Sequence, residues 1–306
     1  MNKPKLRVLV VVNPNASRAE AALPGLSSWF AANCHALITV AKSKKELTRE
    51  LEANGKEVDL IVIGGGDGTI SKALPQLLKL KRPFAILPLG TANDFARTLG
   101  VPSDPLEAAE IALNGHKHKI DIGLVNDRPY LNVASVGIAP KVAKAQSKEL
   151  KHRWRMFAYA IGLMRAMRDL QPFFVELELD GKPTWSGPVY QVSVGNGRFH
   201  GGGLTVAEDA AIDDGKLDLY LIHTGRFWQL FTSFMHLKFG LAKPEVLKQR
   251  SAVTVTLHTD RPRSVDADGE LTTETPATFR LSPAALTVMV PRILPNDHRG
   301  LSRTPT

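Results

Sequence analysis

Residues 59–78, DLIVIGGGDGTISKALPQLL, constrain the fold more than any other stretch. An apolar run, Leu60 to Ile63, is bounded by glycines and reads as a buried strand. Gly64, Gly65 and Gly66 follow, then Asp67, Gly68 and Thr69. Ile70, Ala73, Leu74, Leu77 and Leu78 then recur with the spacing of one helix face. The reading is strand, glycine turn, helix, with Pro75 expected to kink the helix or restart it. In an open α/β sheet such a turn lies at the carboxyl end of a strand, where ligands bind. Its N–H groups suit an anion. A glycine-rich turn also arises for steric reasons alone. This one neither follows G-x-G-x-x-G into a helix nor carries the Lys-Ser/Thr of a P-loop. Asp67 is its unusual member. A carboxylate among phosphates repels them unless a cation intervenes, so the turn points to a metal-nucleotide rather than a bare phosphate.

Around that turn, strands and helices alternate. Leu6 to Val12 reads as a buried parallel strand ending in the turn Asn13 to Ser17. A helix is expected over Leu26 to Ala32 and a strand over Ala36 to Val40, with Thr39 near its end. Ser43-Lys44-Lys45-Glu46 fits a capping box for a helix running to Asn54-Gly55. Phe84 to Leu87 is the fourth strand. It leads to Pro88-Leu89-Gly90-Thr91-Ala92-Asn93-Asp94-Phe95-Ala96, a second strand-turn-helix in which Asn93-Asp94 is placed to cap the helix. Asp104-Pro105 starts another helix, ending at Asn114-Gly115. The expected fold is an α/β, doubly wound, mostly parallel sheet over residues 1–125.

Beyond residue 125 the periodicity changes. Ile120 to Val125 and Tyr130 to Val136 flank Asn126 to Pro129 as a hairpin. Phe173, Val175, Leu177 and Leu179 alternate with Phe174, Glu176 and Glu178; Leu217, Leu219 and Leu221, and Val253, Val255 and Leu257, alternate likewise. Turns at Asp180-Gly181 and Asp214-Gly215 separate these runs. Residues 126–282 are therefore expected to form an all-β, sandwich-like domain with inserted helices. Leu286 to Val290 is a strand that would complete the first domain through residues 283–295, and 296–306 is a polar tail expected to be disordered.

Composition matters at two points. The net charge is +9, and the excess is local: residues 141–170 hold eight Lys/Arg against two Asp/Glu. There Trp154, Phe157, Ile161 and Met164 form an apolar stripe, with Arg153, Arg155, Arg165 and Arg168 off it; a second helix over Arg226 to Lys243 carries Phe227, Leu230, Phe231, Phe234 and Leu241. Such faces pack on a sheet or lie against an anionic membrane surface. No recognised DNA or RNA motif accompanies the basic residues, so nucleic acid is not the expected partner. Cys34 is the only cysteine, which excludes an intrachain disulfide and suits a reducing cytoplasm. No apolar run approaches the roughly 18 residues of a transmembrane helix. His200 and His223 lack metal-ligand spacing.

GGGDGT followed by GTANDFA resembles the catalytic signature of the diacylglycerol kinase and sphingosine kinase type lipid kinases, in their bacterial soluble branch. Asn13-Pro14, the stretch VGNGRFHGGGLTVAEDAAIDDGKLD and Asp268-Gly269-Glu270 fall in the order of that family. The resemblance implies ATP in a cleft between an α/β domain and a β-sandwich domain that holds the lipid substrate; the basic amphipathic segments add peripheral contact with an anionic membrane surface as the expected partner. It implies that Asn13, Thr39, Gly65, Gly66, Asp67, Gly68, Thr69, Ile70, Ser71 and Thr91 contact ATP. It makes Glu270 the general base, with Asp268 and Asp67 beside it as catalytic candidates. It assigns Mg²⁺ to the carbonyls of Ala211 and Lys216 and the side chain of Asp214. It joins Asp67, Asp94 and Asp121 in a network of metal, water and nucleotide.

Residue chemistry is compatible with these assignments, since phosphoryl transfer to an alcohol needs positioning, a cation on the phosphates and a base for the hydroxyl proton. Without the resemblance, Asp268-Gly269-Glu270 and Asp213-Asp214-Gly215 are ordinary turns. The chain departs from the family where Ser71-Lys72 stand in place of the usual Asn-Glu, and where Asn15-Ala16-Ser17-Arg18 lacks the glycine favoured after the serine. Two other readings fit the glycine turn: a kinase of the same superfold acting on a soluble substrate such as NAD, and a nucleotide-binding regulator without catalysis.

Overall fold

A computed structural model describes residues 5–137, 171–196, 211–223 and 247–292. The stretches 141–170, 197–210 and 226–243, with His200, and the tail 296–306 lie outside the described residues.

The first half alternates strand and helix: β1 (Arg7–Val12), α1 (Ala19–Asn33), β2 (His35–Val40), α2 (Lys44–Asn54), β3 (Leu60–Gly65), α3 (Asp67–Leu80), β4 (Phe84–Pro88), α4 (Asp94–Thr98) and α5 (Pro105–Asn114). The strands pair in parallel in the order β2-β1-β3-β4. The chain steps one way from β1 to β2 and the other way from β2 to β3 and on to β4. Right-handed crossovers then send α1 to one face and α2 and α3 to the other. Accordingly α1 packs on α5, and α2 on α3. β3 is buried along its whole length, as a central parallel strand covered on both faces must be.

Local signals fix several helix starts. Ser43 Oγ accepts the Glu46 N–H at 3.2 Å, while Glu46 Oε2 reaches back to the Lys42 N–H at 2.8 Å. Asp104 Oδ1 accepts the N–H groups of Leu106 and Glu107. Two expectations need correction. α1 begins at Ala19, seven residues before Leu26. α3 neither breaks nor restarts at Pro75 but is continuous from Asp67 to Leu80. Ile70, Ala73, Leu74 and Leu77 are buried on both sides of the proline, and that packing outweighs the one backbone bond the proline cannot donate.

The second half contains β5 (His116–Val125), β6 (Arg128–Tyr130), β7 (Val133–Gly137), β8 (Phe173–Leu179), β9 (Lys182–Gly195), β10 (Leu217–His223), β11 (Leu247–Ala252), β12 (Thr254–Thr259), β13 (Ser264–Ala267), β14 (Glu270–Glu274) and β15 (Ala277–Val290). It is β-sandwich-like and, among the described residues, almost wholly antiparallel. β5 and β6 form the expected hairpin around Asn126 and Asp127, whose φ angles of 44° and 64° are left-handed, as a tight hairpin turn demands. The second arm, however, breaks at Leu131-Asn132, and β7 pairs with β9 and β13 instead. β8 alternates as expected, with Phe174 exposed between buried Phe173 and Val175. β10 does not. Asp218 and Tyr220 are buried on the face opposite the leucines, so this strand is covered on both sides.

β15 ties the halves together. Its first residues pair with β12 and its last with β4 at Val288↔Phe84, and β5 runs antiparallel beside it nearly throughout. Ile120, Ile122, Leu286, Val288 and Val290 join the core of the first half, whereas Val125 and Phe279 join that of the second. The pairing breaks register between Ser282 and Leu286, around Ala284 with its φ of 48°. In the β5–β6 hairpin a Cβ on Gly123 would stand 2.3 Å from Cζ of the buried Tyr130. Gly123→Ala is therefore expected to destabilise the protein by about 1–3 kcal/mol, the range for overpacking, seen as a lower denaturant midpoint with an unchanged slope.

Candidate active site

Three strand-end turns converge at the carboxyl edge of the parallel strands. After β1, the Asn13 N–H donates to the Gly64 carbonyl at 2.8 Å, and Asn13 Nδ2 donates to Thr69 Oγ1 at 2.9 Å. After β4, the Leu89 N–H donates to the Gly65 carbonyl at 3.1 Å. Between them β3 gives way to α3 through Gly66 alone, a helix start without a side-chain cap. The backbones are close enough that a Cβ on Gly90 would lie 2.4 Å from Gly66 Cα. Only glycine fits there. At Gly68, by contrast, a Cβ would meet nothing within 4 Å, so that side of the turn is open.

Asp67 serves the structure directly. Its Oδ2 accepts the Asp94 N–H at 3.0 Å and its Oδ1 the Phe95 N–H at 2.9 Å. It thus caps α4 from another turn, the task expected of Asn93-Asp94. Asn93 instead accepts from the Gly90 N–H and donates to the Gly90 and Pro88 carbonyls, with a left-handed φ of 52°. Asp94 is buried and paired with Arg97 at 3.0 Å. Thr91 Oγ1 and Ser17 Oγ are 3.5 Å apart. They line an open cavity of about 500 Å³ with Arg18, Gly90, Asn93 and Arg97. Thr39 Oγ1, at the end of β2, is buried with no hydrogen-bond partner among the described residues.

The second half meets this edge through the turn between β13 and β14. Asp268 accepts the N–H groups of Leu131, Asn132 and Val133, at 2.7, 2.9 and 3.3 Å, and a hydrogen bond from the side chain of Ser71 on α3. Burial pushes its carboxyl up from the usual range, and these four donors oppose the rise. Burial also raises Asp266, helped by the Glu270 charge and opposed by the Gly269 N–H. Two residues past Asp268, Glu270 lies 3.5 Å from Lys72 Nζ on α3 and 3.5 Å from Lys44 Nζ at the start of α2. Asp67 and Glu270 are therefore linked through α3, which carries the first at its start and touches the second through Lys72 little more than a turn later.

Asp121 serves a different junction. Its Oδ2 accepts the Gly215 N–H at 2.9 Å and its Oδ1 the Ala284 N–H at 2.7 Å. It pins the 211–216 loop to the bend in β15, whereas Asp67 and Asp94 share the start of α4. In the loop the Asp214 carboxylate accepts from the Lys216 N–H at 3.0 Å and from the Ala211 backbone. Burial pushes Asp214 up, opposed by those donors. Asp213 pairs with His118 at 2.8 Å. Ala211, Asp214 and Lys216 are thus gathered in one loop that offers oxygen donors of the kind a hard cation takes. No group of three or more His, Cys, Asp or Glu side chains suited to a metal occurs among the described residues, so a cation here would rest on the single Asp214 carboxylate, backbone oxygens and water. Around the glycine turn, the orphaned Thr39 hydroxyl, the open face at Gly68 and the adjoining cavity fit a polar ligand such as a nucleotide.

Sequence reasoning missed Lys44 and Asn196. Lys44 reads as a solvated residue in a helix cap, and only the packing of α2 on α3 brings it to Glu270. Asn196 is buried, and its Nδ2 donates to the carbonyls of Asp121 and Leu131, linking the 211–216 loop to the segment held by Asp268. Its place in a Gly-Asn-Gly run was its one local signal.

The family model for the diacylglycerol kinase catalytic domain matches residues 7–125, and that for the YegS C-terminal NAD kinase beta sandwich-like domain matches residues 132–290. A diacylglycerol kinase of Bacillus subtilis (strain 168) is 37% identical over 174 residues, which are 56% of this chain and 57% of the relative; the match thus spans little more than half of that protein. A diacylglycerol kinase of Mycobacterium tuberculosis (strain ATCC 25618 / H37Rv) is 32% identical over 247 residues, 78% of this chain and 79% of the relative. The solved structure of a putative diacylglycerol kinase from Bacillus anthracis str. Sterne superposes with a TM-score of 0.81 at 26% identity, covering 96% of this chain and all of that one.

The capping role of Asp67 can be separated from any ligand role. Asp67→Ala removes both acceptors from α4 and is expected to cost about 1–2 kcal/mol, as for loss of an N-cap, in denaturation measured without nucleotide. A midpoint equal to that of the wild type would show that the two hydrogen bonds contribute nothing.

Proposed function

This chain belongs to the diacylglycerol kinase catalytic-domain family, and from that premise we propose that it is an ATP- and Mg²⁺-dependent kinase that phosphorylates a lipid hydroxyl, diacylglycerol-like or of another hydroxylated lipid. The observation that carries the reading is the contact of α3 with the 266–270 turn, where Ser71 bonds Asp268 and Lys72 pairs with Glu270. The partly exposed Glu270 carboxylate of one half thereby lies against the helix that follows the glycine turn of the other. This supports its reading as the base for an acceptor hydroxyl.

MgATP, when bound, supplies the transferable phosphoryl group and the cation that offsets its charge. The chain's own residues supply position. The Gly65–Gly68 turn lets backbone N–H groups approach phosphate oxygens. Asn13, Thr39, Thr69, Ile70, Ser71 and Thr91 surround that turn, and the cavity beside Thr91 has the volume of a small-molecule pocket. Asp67, which already holds α4, keeps a lone pair on each oxygen for a cation or its water. Ala211, Asp214 and Lys216 would hold a second, structural cation, with Asp121 anchoring their loop. Glu270 would take the proton of the lipid hydroxyl as its oxygen bonds to the γ-phosphorus and the bond from that phosphorus to the departing ADP breaks. Asp268 holds the turn that presents it.

Among the described residues no helix is long and apolar enough to cross a membrane. The basic excess of residues 141–170 supports access to a lipid by a peripheral encounter with an anionic membrane surface from the cytoplasm.

The test is transfer of label from Mg-ATP to diacylglycerol or to a total lipid extract in mixed micelles. Glu270→Gln is expected to lower kcat by roughly 10²–10⁴-fold, the usual worth of a general base, with an unchanged melting temperature. Wild-type turnover in that variant would remove Glu270 from the chemistry. Phosphorylation of NAD with none of any lipid would replace the lipid reading by that of a soluble-substrate kinase.

A further inference from the structure

Glu270 is held from both sides. Lys72 Nζ stands 3.5 Å from Oε1, and Lys44 Nζ stands 3.5 Å from Oε2. The two lysines come from neighbouring helices of the first half, Lys44 as the first residue of α2 behind its Ser43 cap, and Lys72 one turn into α3. One cation per oxygen fixes more than the location of a carboxylate. It also sets the rotation of the carboxylate plane about the last side-chain bond, a torsion that is otherwise broad. All three side chains remain substantially exposed, at 58%, 41% and 44% for Lys44, Lys72 and Glu270. Ion pairs of that exposure contribute little to stability. Folding therefore does not account for two of them converging on one acid.

The backbone of the same turn is already fixed by other means. Asp268 is anchored to Leu131, Asn132, Val133 and Ser71, and Asp266 accepts the Gly269 N–H at 2.9 Å. What those bonds leave free is the Glu270 side chain itself, and the lysines act on that alone. An acid at position 72 would repel Glu270, whereas Lys72 draws it toward α3.

We propose that Lys72 and Lys44 are positioning residues for Glu270, a two-lysine clamp that aims its carboxylate at the acceptor hydroxyl; the inference rests on the lipid kinase reading above. Neither lysine takes part in proton transfer. The clamp acts on the step in which Glu270 removes the hydroxyl proton, so its loss should appear in kcat and leave nucleotide binding alone.

The experiment compares the wild type with Lys72→Met, Lys72→Glu, Lys72→Arg and Lys44→Met, using Mg-ATP and diacylglycerol in mixed micelles and recording melting temperatures alongside. Lys72→Met is expected to lower kcat roughly 10-fold and Lys72→Glu, which adds repulsion, up to about 10²-fold, the scale of a misplaced catalytic group. KM for ATP should stay within about twofold, since the loss falls on the chemical step alone. Lys72→Arg should recover most of the rate, and Lys44→Met should reproduce the loss through the other oxygen. A residue that merely supported the fold would lower the melting temperature without this division between kcat and KM, and the charge-preserving variant would not rescue it. Should Lys72→Glu fold poorly, Lys44→Met decides the matter. Unchanged or faster turnover in Lys72→Met and Lys44→Met would overturn the clamp while leaving the kinase reading standing. A folded wild type that transfers phosphoryl to no lipid would overturn both together.

Discussion

One carboxylate joins the parts of this molecule that must cooperate. Asp268 accepts three consecutive backbone N–H groups from the Leu131–Val133 segment and one side-chain bond from Ser71. The first three fasten the β13–β14 turn within its own half, and the fourth fastens it to α3. An acid so enclosed carries a desolvation cost, visible as the upward push on its carboxyl; three donors offset it from within the same half, and the Ser71 donor adds to them only while both halves are in register. The position of Glu270 relative to the glycine turn is a consequence of that register.

The register is itself set at longer range by β15. A strand that pairs with β12 at one end and β4 at the other cannot slide without displacing side chains from two cores at once. The break near Ala284 is the point where the strand passes from one core to the other. There Asp121 captures the Ala284 N–H and, with its other oxygen, the 211–216 loop. Acidic side chains that accept backbone N–H groups recur at each junction: Asp67 on α4, Asp121 on the bend, Asp268 on the turn. Such bonds are charge-assisted and directional. They give loops the rigidity that strands and helices obtain from their own ladders.

Glu270 differs from these anchors. It accepts no backbone N–H in the contacts described, is partly exposed, and is held only by lysine side chains. Its surroundings leave the carboxylate room to change partners, whereas Asp268 is fixed by four donors.

By itself the sequence determined the alternation of strand and helix, the glycine turn and its Asp67, the caps at Ser43 and Asp104, and the change to two-residue periodicity after residue 125. Each of these is a local matter of spacing, φ requirement or capping geometry, and each survives without knowledge of neighbours. The continuity of α3 through Pro75 was not legible, because propensity saw a missing donor and could not see the buried faces beside it. Nor was the break of the second hairpin arm at Leu131, where Asp268 takes the N–H groups that a ladder would have used. Asp67 was legible as an unusual acid, but its service to α4 was not, since its partners lie 27 and 28 residues away. Lys44 reaches Glu270 across 226 residues. Only the tertiary structure could bring those charges together, since a sequence records which groups carry charge and the fold alone sets the distances over which they act.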